Sequence, residues 1–92
     1  MKKACAQHIL VKTEKQCMEI KEKIEKGADF GQMAKRFSTC ASAKRSGDLG
    51  EFNKRDMVKP FDDAVFKGEL LKVLGPVRTK FGFHLIKVLY RN

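Results

Sequence analysis

Only two histidines occur in the 92 residues, and both stand in apolar company: His8 in CAQHILVK and His84 in FGFHLIKV. Imidazole is the side chain that gains or loses a proton near neutral pH. A buried pair therefore suits a fixed hydrogen-bonded couple or a metal centre. Three cysteines, Cys5, Cys17 and Cys40, complete the reactive set. Their odd number and wide spacing are unlike the dense, even set of a secreted disulfide scaffold. They read as reduced thiols, one of them functional and the other two small apolar fillers. Cys40 with the two histidines would also make a three-ligand zinc set with an open fourth position. That spacing is not diagnostic, and no neighbouring carboxylate stands ready to support a ligating ring, so no metal is expected.

The histidines must be positioned by strands. Residues 4–11 end in a β-branched apolar run, and residues 83–90 form a longer one. Side chains alternate along a strand, so His84 shares a face with Gly82, Ile86 and Val88, and His8 with Ala6 and Leu10. If the first and last strands are neighbours, the two rings can stand side by side and satisfy each other's polar nitrogens. An unpaired buried polar group costs about 1–3 kcal/mol. The alternative is two unrelated core histidines, each bonded to backbone or water.

Between these strands the signals are mostly helical. Thr13 and Gln16 have capping-box spacing and open a helix whose buried stripe is Cys17, Ile20 and Ile24, stopped by Gly27. Asp29 and Gln32 repeat that spacing before Phe30, Met33, Ala34 and Phe37. The stretch STCASAKRSGDLG, residues 38–50, reads as loop, and EFN as a brief strand. KPFDDAVFKG reads as a helix, with Pro60 at its first position, Asp62 and Asp63 in the first turn and Gly68 beyond its end. Pro76 and Val77 lead into a strand and KFG makes a turn. The order strand, helix, helix, loop, strand, helix, strand, strand describes one small α+β domain over residues 1–92, with an antiparallel or mixed sheet.

Composition bounds the function. With 42% hydrophobic and 34% charged residues the chain has the balance of a globular protein. No apolar run approaches the roughly 20 residues that cross a bilayer. Met1-Lys2-Lys3 is not followed by an uninterrupted apolar segment, because Gln7 and His8 intervene. The expectation is an unprocessed, cytoplasmic chain. Its net charge of +9 comes from 20 lysines and arginines scattered in runs of no more than two. That is a solvated surface rather than a specific nucleic-acid site, and it leaves weak attraction to acidic proteins or anionic surfaces.

Four stretches in this order, HILVK, CASAKRSGDLGEF, MVKPFDDAVF and GPVRTKFGFHLIKV, make the chain resemble the parvulin family of peptidyl-prolyl cis-trans isomerases over residues 4–92. The pattern is most similar to the small single-domain bacterial parvulins. The resemblance implies a four-stranded, mostly antiparallel sheet surrounded by about four helices, within the FKBP-like superfold. It implies a catalytic group of His8, Cys40 and His84, with Thr79 supporting the histidine pair. A proline ring would be received by Met57 and Phe61, with Leu49, Phe52 and Phe81 completing the apolar wall. It implies a monomer that needs no cofactor and accelerates rotation about X-Pro bonds, without forming a covalent bond, in unfolded or partly folded polypeptides. Phosphate-directed parvulins carry a basic loop after the first strand. Only Lys12 and Lys15 stand there in this chain, so phosphate specificity is not expected. The other reading is a non-enzymatic module or chaperone that holds proline-containing or acidic segments. Three departures touch the site's edges: Ala41 where proline is frequent, and Ser46 and Arg55 where glycines are.

Overall fold

In the computed structural model, which describes residues 2–92, the elements follow the expected order. They are β1 (Lys3–Val11), α1 (Glu14–Glu25), α2 (Phe30–Phe37), a 3-10 helix (Ala41–Arg45), β2 (Asp48–Asn53), α3 (Lys59–Lys67), β3 (Val73–Thr79) and β4 (Gly82–Arg91). About four helices were expected; among the described residues there are three α-helices and one 3-10 segment. Both capping signals do their work. Thr13 Oγ1 accepts the Gln16 amide at 3.2 Å, and the Asp29 carboxylate accepts the Gln32 amide at 2.9 Å.

The sheet order is β2-β1-β4-β3, and every pairing is antiparallel. The two central strands thus come from opposite ends of the sequence. Each face of the sheet carries its own core. On one face Ile9, Val11 and Leu85 meet Cys17 and Ile20 of α1 and Phe30, Met33 and Ala34 of α2. On the other, Ala4, Ala6, Ile86 and Val88 meet Phe61 and Val65 of α3, with Phe52. A fully buried aliphatic side chain of this kind contributes about 1.5–3 kcal/mol. Cys17 is one such filler, and burial pushes its thiol up to about 11.

Two strands begin earlier than their sequences suggest. β2 starts at Asp48 rather than Glu51, because pairing with β1 around a register shift between Cys5 and Gln7 recruits residues of poor strand propensity. β3 starts at Val73 and runs through Pro76, which an edge strand tolerates.

Candidate active site

The β1–β4 register sets Leu10 opposite His84 and His8 opposite Ile86, so the histidines lie diagonally on adjacent strands, both facing α3. They are 5% and 4% exposed. Their Nδ1 atoms are 3.1 Å apart, and the rings stack with centroids at 5.3 Å. Phe61 of α3 stands edge-on to both, at 5.5 and 5.2 Å. Of the two readings of the histidine pair, the structure adopts the coupled one.

The outer nitrogens are engaged as well. His8 Nε2 is 3.1 Å from Ser42 Oγ, and His84 Nε2 is 2.8 Å from Thr79 Oγ1. Thr79 Oγ1 also accepts the Phe81 amide at 3.1 Å. The result is a hydrogen-bonded row: Ser42, His8, His84, Thr79. A neutral imidazole has one donor and one acceptor, so the row must run one way or the other. Ser42 is only 2% exposed, while Thr79 reaches the surface. The direction that satisfies every buried donor has Ser42 donating to His8, His8 to His84, and His84 to Thr79, whose own proton points to water. Burial, with the neighbouring ring as a second cause for His8, pushes both imidazoles from 6.5 down to about 4. The row is therefore neutral at physiological pH. With all four ring nitrogens committed to protein partners, none is left to ligate a metal.

The loop that brings Ser42 and Cys40 here is pinned to β1 at two places. The Thr39 amide donates to Leu10 O at 2.8 Å while Ser38 Oγ accepts the Leu10 amide at 3.0 Å. Further on, the His8 amide donates to Gly47 O at 2.9 Å. Gly47 has φ +82, and a Cβ there would lie 2.5 Å from His8 O, so only glycine lets the loop approach this closely. Ser46, beside it, holds φ +60 and Arg55 holds φ +78, the left-handed positions where the resemblance anticipates glycine.

Above the histidine row is an open hollow of about 250 Å³. At roughly 30 Å³ per water it has the volume of about eight waters, which suits one small ring rather than a helix. His8, His84 and Phe61 line it together with Cys40, Leu49, Met57 and Phe81, and with Leu10 and Val58, which the sequence did not single out. Of the anticipated wall, Phe52 does not line it. Opposite the small Ala4 of β1 there is room beneath α3, and Phe52 fills that room, packed edge-on against Phe66 at 6.5 Å. Cys40 lines the hollow, but among the described residues its thiol makes no hydrogen bond to either imidazole. Ser42 is the member that sequence reasoning missed, for a serine in a run of small polar residues carries no signal of its own.

A family model described as the PPIC-type PPIase domain matches residues 2–92. Foldase protein PrsA of Geobacillus sp. (strain WCH70) is 50% identical over 84 residues, which is 90% of this chain and 30% of that protein. The chain spans only about a quarter to a third of the length of the curated relatives it matches. Among solved structures, the peptidylprolyl isomerase PrsA of Bacillus anthracis superposes with a TM-score of 0.96 at 35% identity, covering 99% of this chain and 42% of the other. The solution structure of the parvulin of Nitrosopumilus maritimus gives 0.86 at 42% identity, covering 98% of each chain.

Proposed function

The chain belongs to the PPIC-type peptidyl-prolyl isomerase family, the parvulins, and from that premise we propose that it accelerates cis-trans rotation about X-Pro bonds in unfolded or partly folded polypeptides. The observation that carries this reading is the apolar hollow floored by a neutral, fully hydrogen-bonded histidine row.

Rotation about a peptide bond faces a barrier of roughly 18–20 kcal/mol because twisting breaks amide resonance. A catalyst must hold the twisted amide better than either planar form. The planar amide is the more polar and the better hydrated, so a hollow lined by Met57, Phe61, Phe81 and Leu49 favours the twisted form by excluding water. Those side chains grip the pyrrolidine while the preceding residue turns. The uncharged floor matters for the same reason: an imidazolium would stabilise the polar planar carbonyl. His8, His84 and Cys40 set the field near the bond as fixed dipoles.

Covalent attack by Cys40 finds no support in this geometry. A neighbouring base is one way to activate a thiol, and His8 Nε2, the ring atom turned towards the loop, is occupied by Ser42 instead. The clients in this reading are polypeptides with an apolar residue before proline, without phosphate specificity. Acidic segments are favoured by the +9 charge. Three free thiols favour a reducing, cytoplasmic setting. Among the described residues the exposed large apolar side chains are scattered, with Met18 on α1, Leu70 and Leu71 together between α3 and β3, Phe81 on the β3–β4 turn and Tyr90 on β4, which favours a monomer.

Exchange NMR on short X-Pro peptides with catalytic amounts of protein tests the activity. Wild type is expected to speed exchange, and Met57→Ala, at a half-buried position, to lower kcat/KM by about tenfold, equivalent to about 1.4 kcal/mol. Peptide binding without faster exchange would replace the isomerase by a holding module.

A further inference from the structure

Beside the apolar hollow, and sharing Met57 with it, runs a second groove of about 520 Å³ between the β2–α3 turn and α3. Its charged lining divides four to two: Lys54, Arg55, Lys59 and Lys67 against Asp62 and Asp63. Both acids are already satisfied from within. Asp62, buried, accepts the Arg55 amide at 2.7 Å and Lys54 Nζ at 3.2 Å, while Asp63 accepts Lys59 Nζ at 3.2 Å. Among the described residues, the side chains of Arg55 and Lys67 have no acidic partner within ion-pair distance.

Arg55 adds a second observation. At φ +78 it occupies a conformation that costs any residue with a Cβ and costs glycine nothing. The Asp62 carboxylate holds its amide in that place. Strain kept at the lip of a groove, where it presents an uncommitted cation, points to use rather than accident.

We propose that this groove is a subsite for a carboxylate side chain of the client polypeptide, close in sequence to the proline in the neighbouring hollow, with Arg55 and Lys67 as its cations. The inference rests on the isomerase reading and adds the class of segment preferred. A shared wall at Met57 means that a chain crossing both cavities needs only a few residues to do so. A carboxylate is a better match than a phosphate. A phosphate gathers several donors on one point, and Asp62 and Asp63 already hold two of the four cations.

The test uses peptides identical except for a single Glu, Gln or Lys placed at successive positions on either side of proline, measured as kcat/KM at low and at high salt. At one or more positions Glu is expected to exceed Lys by about three- to tenfold at low salt, the scale of exposed ion pairs, and to lose most of that advantage at high salt. Arg55→Gly removes most of the discrimination and Lys67→Gln more of it, with the Gln peptides turned over at the wild-type rate by both. Equal rates for Glu and Lys everywhere overturn the subsite. So does an Arg55→Gly variant that slows Gln, Glu and Lys peptides alike. A phosphoserine peptide exceeding Glu by more than about a hundredfold overturns the carboxylate assignment. If wild type fails to turn over even the Gln peptides, the isomerase reading falls separately. Amide shifts at Arg55 and Lys67 on adding Glu but not Lys peptides would then sustain the subsite, and their absence would overturn it.

Discussion

A histidine that stays neutral when folded but is free to protonate when unfolded ties stability to pH. Unfolded, His8 and His84 take up protons near pH 6.5; folded, they do so only near pH 4. Above 6.5 neither state is protonated and the full stability is present. As the pH falls from 6.5 towards 4, the unfolded chain gains protons that the folded chain refuses, and stability drops. Between about pH 7 and about pH 5 the loss is expected to be on the order of 2–4 kcal/mol for the two rings. Urea unfolding at the two pH values measures it, and ring resonances that do not move down to about pH 5 would accompany it. Rings titrating near 6.5 in the folded protein would contradict the neutral row. At this scale the sequence was legible where a residue type is rare. Two histidines in strands could be singled out, Thr79 came only with the family resemblance, and the three form the row with Ser42. Phe52 was misplaced because its neighbour across the sheet, Ala4, and the room above it become visible only with the strand register.

The loop between α2 and β2 shows what an element must do beyond having a shape. Its 3-10 segment is unremarkable in itself, but its attachment at Leu10 and His8 decides where Cys40 and Ser42 stand. Gly47→Ala forces a Cβ against His8 O in a backbone region that alanine avoids. The left-handed conformation alone costs about 1–2 kcal/mol, and the close approach adds to it. The expected outcome is a thermal midpoint lower by several degrees, together with a loss of the Ser42–His8 bond visible as a changed His8 ring resonance. A variant that matches wild type in both would show that the loop docks by other contacts. The caps of α1 and α2 and the proline start of α3 could be read locally, because the bonds that end a helix lie within a few residues. The early starts of β2 and β3 could not, because a strand's extent is fixed by its partner.

In the whole molecule, β1 and β4 are welded together at the centre of the sheet, closing almost the entire chain into one loop. Pairing at such separation is slow to form and hard to open locally. Native-state hydrogen exchange should find the slowest amides on β1 and β4 and faster ones on the edge strands β2 and β3. Central-strand amides that exchange before those of α1 would contradict this. Periodicity gave the number and order of elements, but not that the first strand lies beside the last. That arrangement followed from the four stretches taken together, since no local pattern encodes a contact across 76 residues such as His8 with His84.

Phe61 and Phe81 face the same hollow from unequal stations: one is sealed into the core, the other is 60% exposed on the β3–β4 turn. A recess closed on one flank and open on the other admits a chain from the side. No chain terminus has to be threaded through it. Under the isomerase activity proposed above, a proline hundreds of residues from either end of a polypeptide is as reachable as one in a short peptide.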